Sequence, residues 1–542
     1  MSPGQLRPER LQFALASLSG VLAVLAFSFS WAAALGWLVL LPLLWVIDRA
    51  ANLRRALWLA WWAGLIASFG GLQWMIGLMT RFLEFPWLGA AAIHGLYCAY
   101  QALVWLLFAV IVRLGRKRLA LPMVAVVPVA LVAAEVLIPY LYPYGLELSQ
   151  ARFPMALQIA DLTGRFGVTV LLGLGAAAVY DMFWPARAAR RLYRTSALTA
   201  LAIVVCAFVY GAVRLRVLDG ELRHDPVARI GIVQPNAPID APGMSLTRPH
   251  RPLPPAAARL AALNARSTEL ARAGAELVLW PEDSYPELYP RERLEDFPAE
   301  DSRSASAGQN APLIFGTLSV RAADWAQFNS ALVLSPVGQL VARYDKVNLL
   351  PFGEYIPSLV NFQWVRRLAF GTAPGLHAGS EVRAISIPSP PGSRAWSVGL
   401  LICYEDILAA ATRQLGAQHP DFFADLSNDV WFESRQEIWQ HIGLSVFGAV
   451  EQRTSLVRAA NPGGSALIDP TGRIRWQSPL VDTAAAAARP QAWLIDVRLR
   501  QAGSTVYSFT GPVLPISCVL VSAFILAAAG IAAHKTRGSM EI

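Results

Sequence analysis

Lysine is scarce in this chain, with three residues out of 46 lysines and arginines together. One of the three, Lys346, is alone in the polar stretch Leu215–Ser508, which also holds a single cysteine, Cys403. Arginine supplies surface charge, but lysine offers a compact amine that can be set against a reacting atom. A third reactive group is the carboxylate of Trp280-Pro281-Glu282, which ends an apolar run. A cysteine attacks as thiolate; a neighbouring carboxylate can take its proton, and a placed ammonium stabilises the charge that develops on the attacked carbonyl. With Glu282 as base, Lys346 as cation and Cys403 as nucleophile, the natural reaction is acyl transfer through a thioester. The backbone N–H of Tyr404 is available to complete an oxyanion hole, and no histidine is required. Taken singly, each residue has a plainer explanation: a lone cysteine at a strand end is more often a small core residue, Lys346 suits a solvated turn, and Pro281-Glu282 suits a strand end. Their joint occurrence is what favours chemistry.

Such groups need rigid elements to hold them. Short β-rich runs occur at Val227–Val233, Glu276–Trp280, Leu313–Ser319, Ser330–Leu334, Trp396–Cys403, Phe422–Ser427, Ser465–Asp469 and Trp493–Val497. Helical patterns occupy Ala256–Ala273, Ile407–Leu415 and Ile438–Arg453, and the Pro- and Arg-rich segment Asn236–Pro255 reads as a linker. Strands that are apolar on both faces and alternate with helices predict a layered α/β domain, its sheets covered by helices. Glu282, Cys403 and Asn428-Asp429 each follow directly on a predicted strand, where α/β folds tend to display functional groups.

The rest of the chain is that of a membrane protein: 55% hydrophobic and 15% charged, with a mean hydropathy of +0.42. Runs of about 20 apolar residues, enough to cross roughly 30 Å of hydrocarbon, are expected at Leu11–Phe29, Trp31–Ile47, Ala56–Met79, Trp87–Val112, Leu119–Pro139, Phe166–Trp184, Thr195–Val213 and Gly511–Ala533. Basic residues crowd before the first of these and after the second, fourth, sixth and last. By the preference of Lys and Arg for the cytoplasmic side, both termini fall inside and Leu215–Ser508 falls outside. The expected division is a seven-span domain over 1–214, a catalytic α/β domain over 225–500 and a last transmembrane helix over 511–533. The first run, long and closely followed by a second, predicts an anchor rather than a cleaved signal. A net charge of +9 is largely taken up by the cytoplasmic loops, and without a basic stripe interleaved with aromatics no nucleic-acid partner is expected. Cys98, Cys206 and Cys518 lie in the apolar runs, so Cys403 has no soluble disulfide partner. The seven histidines show no metal-ligand spacing, and neither a metal nor a cofactor is expected. His94 and Glu135, the chief ionisable residues within the apolar runs, read as satisfied polar contacts rather than a proton relay. The aromatic loops Phe82–Trp87 and Tyr140–Tyr144 suit the headgroup level.

Trp280-Pro281-Glu282, Tyr344-Asp345-Lys346 with Pro351-Phe352-Gly353-Glu354-Tyr355, Ile402-Cys403-Tyr404-Glu405 and Ser427-Asn428-Asp429-Val430-Trp431-Phe432 together resemble the ordered signature of the nitrilase superfamily. The Pro-Phe-Gly-Glu-Tyr and Cys-Tyr-Glu variants, with seven spans before the domain and one after, resemble its apolipoprotein N-acyltransferase branch. Ser149-Gln150, Gln158-Ile159-Ala160-Asp161 and Asn461-Pro462-Gly463-Gly464-Ser465 extend the likeness over nearly the whole chain. The resemblance implies an α-β-β-α sandwich, a triad of Glu282, Lys346 and Cys403, a second glutamate, Glu354, that orients the lysine, and supporting roles for Tyr404 and Glu405. It implies a ping-pong transfer of an acyl chain from a membrane phospholipid to the α-amine of a diacylglyceryl-cysteine apolipoprotein. The setting it implies is the bacterial inner membrane, with a periplasmic catalytic domain, the lipid bilayer as partner and a monomeric chain. Asn348 and Pro235 depart from the family pattern, as do Tyr142-Pro143-Tyr144 and Arg453. The alternatives are a membrane-tethered amidase, a divergent relative that acylates another amine, and a transporter or receptor with an inactive sensor domain.

Overall fold

The structure is a computed structural model that describes residues 8–81, 85–185, 189–237, 254–363, 375–388, 396–432, 434–480 and 489–538. Most of the expected linker Asn236–Pro255 and part of the loop Phe82–Trp87 lie outside the described residues. Two compact units form: one comprises Met1–Gln73, Leu88–Val217 and Phe509–Ile542, the other Trp74–Trp87 and Leu218–Ser508.

The first unit is helical. Among the described residues, five helices are long and apolar enough to cross a membrane: Pro8–Ser28, Trp87–Arg118, Phe166–Phe183, Arg190–Glu221 and Val513–His534. A sixth arises if Leu53–Gly71 and Trp74–Arg81, the latter assigned to the second unit, are taken as one broken span. The expected run Trp31–Ile47 is not one helix. It breaks between Ala33–Gly36 and Leu40–Arg49, and the cause is a polar insertion. Gln150 Nε2 donates to the Ala33 carbonyl at 2.8 Å while Trp37 Nε1 donates to Gln150 Oε1 at 3.2 Å. A Cβ on Gly36 would meet Ser149 Oγ at 2.2 Å, so only glycine lets the Ser149-Gln150 turn approach. Close approach also brings Pro8–Ser28 onto Leu53–Gly71, where a Cβ on Gly20 would lie 2.6 Å from the Ala63 carbonyl oxygen. The last helix packs in the same unit, with Ser522 Oγ donating to the Val129 carbonyl at 3.2 Å. Asp161 accepts from Tyr210 at 2.7 Å and pairs with Arg214 at 3.1 Å. His94 Nε2 lies 3.4 Å from the Phe69 carbonyl oxygen, and Glu135 accepts the Leu146 N–H at 3.4 Å. Tyr142 and Tyr144 are buried in the unit, not displayed on its surface.

In the second unit the strands are β1 (Val227–Gln234), β2 (Leu277–Trp280), β3 (Tyr289–Pro290), β4 (Leu313–Val320), β5 (Gln327–Leu334), β6 (Leu340–Asp345), β7 (Ala384–Ile387), β8 (Trp396–Ile402), β9 (Phe422–Asn428), β10 (Ser455–Asn461), β11 (Ala466–Ile468), β12 (Ile474–Gln477) and β13 (Gln491–Arg498). They form two sheets, ordered β13-β1-β2-β4-β5-β6, with β3 on β4, and β12-β11-β10-β9-β8-β7. The central pairings β1–β2, β2–β4, β8–β9 and β9–β10 are parallel, which accounts for strands apolar on both faces. Alternate residues divide the core. Ile230, Ile232, Leu277 and Leu279 meet Val398, Leu400 and Ile402 between the sheets, whereas Val278, Trp280 and Phe315 pack with Leu260, Leu263 and Leu270 of the helix Ala256–Arg272. On the far face of the second sheet lie the helices Ala409–Gly416 and Arg435–Gln452. The layers are therefore α-β-β-α. Five strands extend the expected set: β3, β6, β7, β10 and β12.

Gly316 of β4 lies behind the Pro281-Glu282 turn, accepting N–H bonds from Ser284 and Tyr285 at 3.0 and 3.1 Å. A Cβ there would sit 2.5 Å from Glu282 Cα and 2.6 Å from the Pro281 carbonyl oxygen. Gly316→Ala is accordingly expected to lower stability by roughly 1–3 kcal/mol and to move Glu282; thermal unfolding of the purified protein checks the first effect.

Candidate active site

Strand β8 delivers Cys403. Its residues are buried apart from the half-buried Ser397, and the chain then turns tightly into a single 3-10 turn, Cys403–Ile407. Cys403 adopts φ +54°, a left-handed conformation that costs a non-glycine residue about 1 kcal/mol or more and persists only where the surroundings impose it. Glu405 imposes it from one side. Its fully buried carboxylate accepts the Ile402 N–H at 3.0 Å and the Tyr344 hydroxyl at 2.7 Å on one oxygen. On the other it accepts the N–H groups of Val347 and Asn348 at 3.0 and 2.9 Å and Asn348 Nδ2 at 3.2 Å. Glu405 thus ties the cysteine turn to the segment that follows Lys346. Burial raises its carboxyl above the ordinary range, with those donors acting against the rise.

Lys346 follows β6 at the edge of the first sheet, its N–H donated to the Asn329 carbonyl at 2.8 Å. The ammonium is 2% exposed and lies 3.0 Å from Glu354 and 3.5 Å from Glu282. Burial disfavours its charge, but the two carboxylates outweigh burial and hold its proton affinity well above the usual lysine value. Glu282, after β2, is equally enclosed: Oε1 accepts Asn329 Nδ2 at 2.6 Å and Oε2 accepts the Asn428 N–H at 2.9 Å. Burial raises its carboxyl; Lys346 opposes that rise and Glu354 adds to it. Cys403 lies close enough to Glu282 and Lys346 for both to act on its proton affinity. Burial raises the thiol well above the usual cysteine value, Glu282 adds to the rise and Lys346 counters it. At neutral pH the sulfur therefore carries its proton.

Glu282, Lys346 and Glu354 are brought together, with Cys403 near enough to feel the charges of Glu282 and Lys346, and Tyr404, the next residue, is half-buried. Asn348, the departure beside Lys346, hydrogen-bonds Glu405 through its side chain, so it holds the turn. Asn329 was not anticipated. Its Nδ2 donates to Glu282 at 2.6 Å and to Glu354 at 2.9 Å, bridging both carboxylates. An asparagine inside a strand, where that residue is depleted, was the available signal. Also unanticipated is a buried group on the helix side, where Arg458 of β10 meets Asp406, Asp425 and Asp429 at 2.9, 3.1 and 2.7 Å. Asp429, Glu437 and His441 lie within 4.8 Å of one another, close enough for a metal. The Arg458 guanidinium already engages Asp429 and approaches His441 Nδ1 at 3.0 Å, so the place of a cation is taken and the donor set fits an ion-pair network better than a metal.

Residues 19–178 match the family profile described as apolipoprotein N-acyltransferase N-terminal domain, and residues 249–484 match that of carbon-nitrogen hydrolase. A relative named apolipoprotein N-acyltransferase from Geobacter metallireducens is 28% identical, over 96% of this chain and 95% of its own length. Another of that name from Rhodopseudomonas palustris is 29% identical, over 79% and 80%. Among solved structures, an amidase from Nesterenkonia sp. aligns at 16% identity over 50% of this chain and 90% of its own, with a TM-score of 0.31.

A donor that lowers the proton affinity of Glu282 is lost in Asn329→Leu. A hydrogen bond to a charged group contributes ~1.5–3 kcal/mol, and about 1.4 kcal/mol corresponds to one pKa unit. The base form of Glu282 should then be lost at a pH about one unit higher than in the wild type. The acid limb of the pH–rate profile for modification of Cys403, followed by mass spectrometry, reports this shift.

Proposed function

We propose that the chain is an apolipoprotein N-acyltransferase, as its relatives of that name and its two family matches support, and that Cys403, Glu282 and Lys346 carry out lipoprotein N-acylation through a thioester formed from a membrane phospholipid. As the sulfur attacks the ester carbonyl, Glu282 takes the thiol proton and Lys346, with the Tyr404 N–H, stabilises the oxyanion. The carbon–oxygen bond to glycerol breaks, the proton passes from Glu282 to the leaving alkoxide, and a lysophospholipid departs. The neutral α-amine of the diacylated apolipoprotein then attacks the thioester. Glu282 accepts a proton from that nitrogen, the carbon–sulfur bond breaks, the thiol is restored and an amide remains.

One observation carries this reading: a buried cysteine in a strained turn, beside a buried carboxylate that has an ammonium 3.5 Å away. Glu354 and Asn329 orient that ammonium and carboxylate, and Glu405 supports the turn. The apolar helices of the first unit support the assignment of lipid-anchored substrates, since a soluble amidase needs no bilayer. With them go the division into 1–214, 225–500 and 511–533, eight spans, a bacterial inner-membrane location and a periplasmic catalytic domain acting as a monomer.

Incubated with acyl-labelled phospholipid, the purified protein should gain one acyl group on Cys403 by intact mass and lose it on addition of a diacylated lipopeptide, which becomes N-acylated. Release of free fatty acid to water instead would point to an amidase-like hydrolase. Cys403→Ala should show no acyl adduct while remaining folded, and a labelled adduct in that variant would falsify the nucleophile assignment. Lys346→Arg should lower the acylation rate by roughly 100-fold or more, since a planar fork does not occupy an ammonium's place between two carboxylates; single-turnover mass measurements give that rate.

A further inference from the structure

The group around Arg458 is more elaborate than the fold requires. Arg458, Asp406, Asp425, Asp429, Glu437 and His441 are at most 2% exposed. Burying ions is expensive, and replacing a buried ion network by apolar side chains is often neutral or stabilising, so stability alone is a poor reason for four carboxyls, a guanidinium and an imidazole to share one interior. Their placement suggests another reason. Asp406 sits in the 3-10 turn that begins at Cys403, immediately after Glu405, and the two acidic residues point opposite ways: Glu405 toward the segment after Lys346, Asp406 toward the helix Arg435–Gln452. Asp429 directly follows Asn428, whose N–H is held by Glu282 at 2.9 Å. One guanidinium binds both, at 2.9 Å to Asp406 and at 2.7 and 2.9 Å to the two oxygens of Asp429.

We propose that the Arg458 cluster is a positioning element for acyl transfer, its guanidinium holding the turn of the nucleophile and the backbone donor of the base in one fixed relation. This rests on the roles proposed for Cys403 and Glu282. His441 strengthens the tie: its Nε2 pairs with Asp406 at 3.0 Å and its Nδ1 lies 3.2 Å from Asp429. Ser445 Oγ donates to Asp406 at 2.6 Å. The element also carries a proton. Both oxygens of Glu437 are buried without a hydrogen-bond partner among the described residues, and the groups facing it are His441 at 3.4 Å, Asp429 and Arg458, with Asp406 and Asp425 behind them. Burial first, and then the charge of Asp429, push its carboxyl up to about 7. Below that pH Glu437 is neutral. Above it a further carboxylate competes with Asp429 for the guanidinium, and the hold on Asn428 loosens.

The test follows two reactions of Cys403 in the full-length protein across neutral pH: single-turnover acylation by phospholipid, and alkylation by iodoacetamide read on the Cys403 peptide, which needs no lipid chemistry. Asp429→Asn should slow acylation on the order of 100-fold, the scale of a 1 Å misplacement, with the phospholipid concentration for half-saturation unchanged, and should alter the alkylation rate. Glu437→Gln keeps the neutral state at every pH and so should fold normally. It should match the wild type below pH about 7 and lack the wild type's decline in both reactions above it. Superimposable Glu437→Gln and wild-type profiles, or unchanged Asp429→Asn rates, would overturn the proposal. A wild type that alkylates at Cys403 but never acylates would overturn the thioester reading instead, and the alkylation rates would still decide the positioning role.

Discussion

A buried ammonium set between two carboxylates is the constraint on which the second unit turns. Lys346 Nζ lies 3.0 Å from Glu354 and 3.5 Å from Glu282, and each charge is tolerable there only because the others are present. The surroundings follow from that need. Asn329 donates to both carboxylates, the Asn428 N–H takes the second oxygen of Glu282, and the Leu350 N–H takes Glu354 Oε2 at 2.7 Å. With its oxygens so engaged, Glu282 is fixed in orientation.

The Cys403 turn is secured from both sides by adjacent residues. Glu405 binds it to the first sheet's edge through Tyr344, Val347 and Asn348, while Asp406 binds it to Arg458 and His441 under the covering helix. A cysteine at φ +54° would relax if either anchor were soft. The sandwich brings the two anchors together, because β8 ends between a layer that ends in Lys346 and a layer capped by the helix Arg435–Gln452. The charge state of the thiol is a consequence of the same enclosure: burial and the neighbouring carboxylate keep the sulfur protonated, so the proposed attack requires proton transfer to Glu282.

The helical unit uses polar groups differently. Gln150 and Ser149 are inserted where a helix breaks at Gly36, and Asp161 gathers Tyr210 and Arg214. These contacts satisfy backbone and carboxylate groups that lie among apolar helices, where an unpaired polar group is expensive. The run 31–47 looked continuous because apolarity alone cannot reveal that a glutamine more than a hundred positions away will take one of its carbonyls.

Local features were legible in the sequence. Apolar runs of strand length placed Glu282 and Cys403 at strand ends, and the scarcity of lysine and cysteine singled out Lys346 and Cys403, because strand pattern and residue chemistry depend on neighbours along the chain. β6 and β10 were not legible: one is half-exposed and interrupted by Arg343, and the other is buried throughout yet carries Arg458 at its centre. A charge inside a buried strand looks impossible until Asp406, Asp425 and Asp429 arrive from elsewhere. Asn329, 47 positions from Glu282, and Asn428, 146 positions away, gained their roles from strand register alone. What the chain determined by itself was which side chains could react and where its strands would end; only the packing of two sheets and their helices decided which donors and ions surround them, because those contacts join residues that nothing but the closed fold makes neighbours.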